Sequence, residues 1–355
     1  MILKPRIPFA VFLIPGMSAP LTLHIFNPET DYALASGRTQ YTPPKNVRML
    51  RKMLHALPVI FAKPGDAILA LDDDVDHEGM YSQLCRLRGV EIITLGQLKG
   101  LHPQSISPWG WNAALRNTLL RNGLEKKLMP AEEEMELIRA LSHRRNTIPF
   151  LQTFTEYDIG EMPCELKSME EFDEWLGRHP DGYLKSPWSS SGRGVLRIAG
   201  QSPEAVRRWA GGSIRTQGSV MAERPWDRTL DFASEWEMTA EGRAIFKGLS
   251  VFETNESGRY SHNISDSTAA LLARIRHIAP TVDDNLFQAQ SRALAKMLRG
   301  YVGPVGIDML ADKDGRVNPC VEINLRHTMG MTAAALYKLT GRPRNFNPLT
   351  PDFII

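Results

Sequence analysis

The chain has 355 residues, with 42 basic and 40 acidic side chains and a formal net charge of +2. This length exceeds what one hydrophobic core usually supports, so we expect two or three packed subdomains. The near balance of charge lacks the basic field that nucleic-acid binding requires, which excludes a nucleic acid as an expected partner.

The N-terminal segment is apolar but does not predict a membrane span. Residues 7–15 form an apolar run after Lys4 and Arg6, an order that superficially resembles a signal peptide. The run is too short to cross a membrane and is interrupted by proline. We predict that residues 1–20 are an extension, that the part before Met17 is not native and comes from a misplaced start, and that no membrane is a partner.

The cysteines set an expectation about the compartment. Cys85, Cys164 and Cys320 are widely separated, form no Cys-x-x-Cys pair and have no nearby histidine at zinc-ligand spacing. They are typical of buried or incidental thiols in a reducing environment. We therefore predict a cytoplasmic protein.

Residues 21–125 alternate apolar runs with helical periods, which predicts a small open α/β domain. Strand-like runs occupy 21–26, 67–71 and 90–95. The first strand leads into a polar loop, at the end of a strand where open sheets bind ligands. In this loop Glu29 and Asp31 are candidates for gripping an amine, with helix capping by Thr30 or Asp31 as the alternative.

Residues 183–198 predict a strand, a loop and a second strand. The first strand delivers Lys185, which can supply a point charge to phosphate oxygens. The loop is built from small residues that let backbone N–H groups approach phosphate closely; they are Ser189, Ser190, Ser191, Gly192 and Gly194. A flexible connection between two strands is the alternative interpretation.

A second hairpin is predicted by the apolar runs 305–310 and 319–324, joined by a turn-rich segment. Alternation along the later strand places Glu322 and Asn324 on one face, and Asp308 lies on the neighbouring strand. Acids within apolar runs are costly to bury unless they are paired or bind a cation. Two carboxylates and an amide oxygen form the hard ligand set that Mg²⁺ prefers.

With both hairpins in this order, the central and C-terminal parts of the chain resemble the ATP-grasp superfamily. The resemblance implies an α/β (α+β) protein with the ATP-grasp fold and an N-terminal open α/β (pre-ATP-grasp) domain. It implies that the hairpin loop closes over ATP, and that Asp308, Glu322 and Asn324 hold two Mg²⁺ ions, for which Mn²⁺ can substitute.

The resemblance also assigns roles to single residues. Arg144 stands where the family usually has a phosphate-binding lysine, in a segment that leads into an apolar strand with proline. The run 219–226 resembles the strand that holds adenine, through Glu223, Arg224 and Trp226. Asp231 matches the ribose-binding acid. Arg326 resembles the arginine that clamps a carboxylate or an acylphosphate, a role suited to the guanidinium fork.

The expected organisation follows from these assignments. Residues 21–125 form the N-terminal domain, 126–149 a linker helix, 150–222 the lid subdomain and 223–355 the C-terminal core subdomain.

The resemblance implies an ATP-dependent, ADP-forming ligase. It activates a carboxylate as an acylphosphate and joins it to an amine, with Arg326 and Lys185 as catalytic residues. Small-molecule carboxylate and amine substrates are the expected partners, and a homodimer is left open. A small-molecule kinase and a non-catalytic ATP-binding sensor are the alternatives.

Overall fold

Three β-sheets organise the computed structural model, which describes residues 21–189, 194–254 and 260–350. The predicted extension at 1–20 and the predicted phosphate-loop residues Ser190, Ser191 and Gly192 lie outside the described residues. Within the described ranges no helix combines the length and the apolar character needed to cross a membrane.

The first sheet contains four parallel strands in the order β3-β2-β1-β4. Its strands are β1 (Thr22–Ile25), β2 (Ala67–Ala70), β3 (Glu91–Thr94) and β4 (Ser105–Pro108). The three strands expected from the apolar runs are all present. The direction of strand addition reverses beside β1, so the crevice between β1 and β4 is the topological switch point of this sheet.

Helices connect these strands, because parallel neighbours need a crossover. The connecting helices are α1 (Thr30–Ser36), α2 (Lys45–Met53) and α3 (Met80–Arg88), and α4 (Ala113–Arg121) follows the last strand. One face of the sheet also receives the C-terminal part of the chain, since Leu336 and Phe346 are buried in the same apolar cluster as Phe26 and Ile68. This packing joins the N-terminal domain to the rest of the protein.

The segment predicted as one linker helix is divided into several short ones. These are single 3-10 turns at Lys126–Leu128 and Arg144–Asn146, with α5 (Glu132–Leu141) and α6 (Thr147–Leu151). The prediction of a strand with proline after Arg144 is wrong, because those residues form α6. Pro149 falls in the first turn of α6, where a missing N–H costs nothing, and Phe150 is buried in the core.

The second sheet is antiparallel, with the order β5-β8-β6-β7. Its strands are β5 (Cys164–Leu166), β6 (Tyr183–Lys185), β7 (Val195–Arg197) and β8 (Val220–Glu223), with helices α7 (Met169–Arg178) and α8 (Pro203–Gln217). The expected strand-loop-strand is therefore present, with Lys185 opposite Val195. Phe172, Trp175 and Leu184 fill the small core between this sheet and its helices.

The third sheet has six antiparallel strands in the order β13-β12-β9-β10-β11-β14. The strands are β9 (Arg228–Met238), β10 (Ala244–Thr254), β11 (Tyr260–Ser265), β12 (Gly303–Asp312), β13 (Val317–Asn324) and β14 (Arg344–Phe346). The helices are α9 (Thr268–Ile278), α10 (Asp284–Met297) and α11 (Met329–Thr340). Alternation on β9 sends Phe232 and Trp236 into the apolar core and leaves Asp231 and Glu235 on the opposite face.

We predict that Phe172→Ala destabilises the second sheet and its helices. The ring is completely buried, so its removal leaves a cavity that costs about 3–5 kcal/mol. The free energy of unfolding from denaturant titration measures the effect. Leu87→Ala is the control, because Leu87 is 79% exposed, and its expected change is below about 0.5 kcal/mol. Equal losses in the two variants would contradict the assigned core.

Candidate active site

The predicted metal ligands lie together on one face of the third sheet. In the β12–β13 register Asp308 is directly opposite Glu322, and Gly306 is opposite Asn324. The Asn324 side-chain amide donates to Asp308 Oδ2 at 3.1 Å. Three residues predicted from a strand pattern are therefore adjacent because the two strands form an antiparallel pair.

Electrostatics at this face favour a cation. Burial, together with the charge of Glu322, raises the pKa of Asp308 to about 7. A divalent ion between the two carboxylates would relieve both effects, and oxygen donors suit Mg²⁺. Among the described residues no group of three or more His, Cys, Asp or Glu side chains is arranged to hold a metal. The candidate set therefore depends on the amide oxygen of Asn324 as its third protein ligand.

Arg144 connects two predicted sites. One is the phosphate loop, the segment between β6 and β7, and the other is the metal-ligand set, which is Asp308, Glu322 and Asn324. Its Nη1 donates to the Ser186 carbonyl at 2.6 Å and to Ser189 Oγ at 2.5 Å. Its Nη2 donates to Glu322 Oε1 at 2.8 Å. The guanidinium is buried, so these contacts compensate the cost of its desolvation. The structure thus places Arg144 between the start of the loop and the acids, beside both expected sites.

The start and end of the phosphate loop approach each other closely. The backbone N–H of Ser186 donates to the Gly194 carbonyl at 2.8 Å. A Cβ at position 194 would lie 2.3 Å from the Ser189 side chain, so only glycine fits there. Glycine at 194 is therefore required by packing as well as being suited to phosphate approach.

Lys185 and Glu223 form an ion pair across the β6–β8 pairing of the second sheet. Glu223 also lines a narrow cleft with Arg224 and Trp226. The rest of the cleft wall comes from α6 and β13 and from the segment before β5, and its members are Thr147, Leu151, Ile159, Glu161, Pro163, Asn318, Cys320 and Val321. The three residues predicted to hold adenine therefore share one cleft between the second and third sheets.

Cys320 lies on β13, two residues before Glu322. Its side chain is buried in the cleft wall, and burial raises the pKa of its thiol well above the ordinary value. A thiol of this kind is a poor nucleophile. All three cysteines are free thiols in the structure.

Asp231 is near the start of β9 and lies on the same face of the third sheet as Asp308. It pairs with Leu310, whereas Asp308 pairs with Ala233. Burial raises the pKa of Asp231, and the nearby Arg228, with Nη1 3.3 Å from the carboxylate, opposes this shift. The predicted ribose acid therefore lies on the face that carries Asp308 and forms an ion pair with a nearby arginine.

Arg326 is held by three acceptors. Nε donates to Asp31 Oδ2 at 2.9 Å, Nη2 to Asn324 Oδ1 at 2.7 Å, and Nη1 to the carbonyl of His327 at 3.2 Å. Its side chain is 16% exposed. The predicted clamp therefore lies beside the metal-ligand set, and its orientation depends on an acid from the N-terminal domain.

The structure corrects the capping alternative for the loop after β1. Helix α1 begins at Thr30 with Glu29 as N-cap, and no side chain caps it. Asp31 instead pairs with Arg326, and Glu29 Oε1 accepts from Arg51 Nη1 at 2.5 Å. Charged partners outcompete the backbone N–H groups because an ion pair compensates a buried carboxylate better than a cap does.

Glu235 lies on the same sheet face as Asp308, and the sequence analysis did not identify it as a site residue. It is 1% exposed, its Oε1 accepts from Thr328 Oγ1 at 2.9 Å, and its Oε2 has no hydrogen-bond partner in the described structure. Burial raises its pKa to about 8. A Cβ at Gly330 would lie 2.1 Å from Oε1. An acid inside an apolar strand was the signal that identified Asp308, and the same signal marks Glu235.

The fold matches solved structures at low sequence identity. No protein-family model matches the sequence, and no curated protein matches it closely enough to count as a relative. Biotin carboxylase from Campylobacter jejuni is 13% identical with a TM-score of 0.55, over 91% of this chain and 69% of that one. N5-carboxyaminoimidazole synthetase from Staphylococcus aureus, complexed with ADP, is 13% identical with a TM-score of 0.50, over 91% and 78%.

A third similar structure is the biotin carboxylase domain dimer of 2-oxoglutarate carboxylase from Hydrogenobacter thermophilus, solved with MgADP, ADP and bicarbonate. It is 11% identical with a TM-score of 0.54, over 92% of this chain and 71% of that one. These proteins are ATP-grasp enzymes. The chain therefore has the ATP-grasp fold, and the predicted fold class is confirmed.

We predict that Glu235→Gln flattens the pH dependence of stability. The folded acid has a pKa of about 8 against an ordinary value of 4.5, so the folded state keeps a proton that the unfolded chain has lost. Wild-type stability must therefore fall as pH rises between these values. From about pH 5 to about pH 8 we expect the variant to lose less free energy of unfolding than the wild type, by on the order of 3 kcal/mol.

Urea unfolding at several pH values measures this difference. Glu237→Gln is the matched control, because Glu237 lies two residues along the same strand and its side chain is 45% exposed. The control should follow the wild type. A Glu235→Gln curve parallel to the wild-type curve would show that the buried carboxyl does not titrate with folding.

Proposed function

We propose that this protein is an ATP-dependent ligase that activates a substrate carboxylate as an acylphosphate and joins it to an amine, forming ADP and phosphate. The observation that carries the proposal is the convergence of Asp308, Glu322 and Asn324 with Arg326 on one sheet face. That face adjoins the cleft that Glu223 lines. The likeness to carboxylases and a synthetase with the same fold supports this choice of chemistry.

The nucleotide site is proposed along the cleft between the second and third sheets. Glu223, Arg224 and Trp226 would hold the base, and Asp231 would hold the ribose. Positive charge and small residues that allow close approach of backbone N–H groups would bind the phosphates; the residues proposed for this role are Lys185, Arg144, Ser189, Ser190, Ser191, Gly192 and Gly194. Arg144 is already bonded to Ser189 and Glu322, so it would adjust the loop and one acid together.

Asp308, Glu322 and Asn324 would hold Mg²⁺, two ions being expected and Mn²⁺ a substitute. The donor set fits, because the two acids are adjacent, burial raises the pKa of one of them, and all donors are oxygen. When bound, the metal would neutralise charge on the transferred phosphoryl group. Asn324 would use the oxygen that accepts from Arg326 in this structure.

The chain's own residues would act mainly through positioned charge. A carboxylate oxygen attacks the γ-phosphorus and ADP leaves; the amine then attacks the acyl carbon, phosphate leaves, and the amine nitrogen loses a proton. Lys185 and Arg326 would stabilise negative charge that develops in the two steps, the form of catalysis that dominates phosphoryl transfer. No side-chain nucleophile is needed.

The proposal includes small-molecule substrates, a cytoplasmic location and a homodimer as the assembly to test. Three free thiols support the location. The carboxylase domain from Hydrogenobacter thermophilus, solved as a dimer with bicarbonate, supports a small carboxylate and a dimeric assembly. Neither a nucleic acid nor a membrane is proposed as a partner.

We predict that ADP release from Mg²⁺-ATP requires both a carboxylate and an amine, and that Glu322→Ala lowers it by on the order of 100-fold. The variant loses a metal ligand and the acceptor of Arg144. The measurement is ADP and phosphate release against a pool of amino acids and small carboxylates. Glu237→Gln serves again as control, because the residue is outside the site and partly exposed.

The substrate dependence separates the alternatives. ADP production that needs an alcohol and no amine would replace the ligase by a small-molecule kinase. Tight ATP binding with no turnover across the pool would instead favour a sensor. Undiminished release by Glu322→Ala would remove Glu322 from the catalytic machinery.

A further inference from the structure

The switch-point crevice of the first sheet is occupied by part of the chain itself. In open α/β sheets the crevice at the carboxyl ends of the strands is where ligands bind. Here the loop after β1 and the loop after β4 are tied together by Asn27, whose side chain donates to the Gly110 carbonyl at 2.7 Å. Arg326, which follows β13 of the third sheet, reaches these two loops.

Backbone and packing contacts fix this meeting point. The backbone N–H of His327 donates to the Trp109 carbonyl at 2.8 Å. A Cβ at Gly110 would lie 3.0 Å from the Arg326 Cβ and 2.8 Å from Thr30. Glycine at 110 therefore permits the close approach of three segments that are distant in sequence.

The acid at this point faces the arginine. Asp31 Oδ2 accepts from Arg326 Nε at 2.9 Å, and the two side chains are 15% and 16% exposed. Nε is the guanidinium nitrogen nearest the chain, so a bond there sets the plane of the whole group. Each terminal nitrogen of a guanidinium carries a second hydrogen. The bonds to Asn324 and the His327 carbonyl use one on each, and within the described part of the chain the other hydrogen on each nitrogen has no recorded acceptor.

We infer that Asp31 is a positioning residue for Arg326, and that the switch-point crevice serves to orient this guanidinium instead of holding a separate ligand. The inference rests on the proposed function, in which Arg326 contacts the substrate carboxylate or acylphosphate. It also replaces the expectation that Asp31 grips an amine. The acid already has a cationic partner, and exchanging that partner would break the ion pair that holds Arg326 Nε in a largely buried site.

The test compares Asp31→Ala with Asp31→Asn in steady-state turnover. Alanine removes the acceptor, so we expect kcat to fall by about 10- to 100-fold with the KM for ATP unchanged. Asparagine keeps an oxygen that accepts from Nε, and we expect it to recover most of kcat. Asp73→Ala, at an exposed acid of the same domain, is the matched control and should leave turnover unchanged.

A double variant separates positioning from a general structural role. If Asp31 acts through Arg326, then Asp31→Ala should add little to the loss caused by Arg326→Lys. Fully additive losses would overturn the inference. So would a rise in the KM for the amine at unchanged kcat, which is the result expected of an amine-binding acid. Circular dichroism and thermal unfolding verify that each variant is folded before these comparisons are made.

A readout without turnover keeps this inference distinct from the proposed function. The Nε–H resonance of Arg326, assigned in ¹⁵N-arginine protein by its loss in Arg326→Lys, should exchange slowly with water. Asp31→Ala should make it exchange rapidly, and Asp31→Asn should preserve most of the protection. If turnover by the wild type does not depend on a carboxylate and an amine, the ligase proposal fails. The exchange measurement would still test the contact between Asp31 and Arg326. Protection that is unchanged in Asp31→Ala would overturn the positioning role.

Discussion

The cost of burying negative charge governs the arrangement of this protein. One face of the six-stranded sheet carries Asp231, Glu235, Asp308 and Glu322, and burial raises the pKa of the first three. Carboxylates in such a position persist only where cations or hydrogen-bond donors compensate them. The arginines around this face compensate its negative charge, and the proposed metal would do the same.

Those arginines also connect the three sheets. Arg144 bridges the phosphate loop of the second sheet to Glu322 on the third, and Arg326 bridges the third sheet to Asp31 beside the first. These two contacts, each of which compensates a buried acid, are therefore also contacts between subdomains.

Local patterns were sufficient for the hairpins and for the candidate metal ligands on them. Turn residues between two apolar runs predicted β12 and β13, and strand alternation predicted that Glu322 and Asn324 share a face. The rule that an acid inside an apolar run is costly identified Asp308, and applied to β9 it would have identified Glu235 as well. The helical segment at Thr147–Leu151 was missed, because a proline next to apolar residues is compatible with either a strand or a first helical turn.

Local sequence patterns could not predict which charged residues pair with each other. Asp31 and Arg326 are 295 positions apart, and an isolated acid after a strand is equally suited to capping a helix, binding an amine or pairing with a distant arginine. The sequence by itself determined the strands, the hairpins and the residue types able to bind a metal and phosphate, since these follow from short-range periodicity and chemistry. Only the tertiary structure decided which cation meets which acid, because that choice depends on how three separately patterned sheets pack and bury their charges.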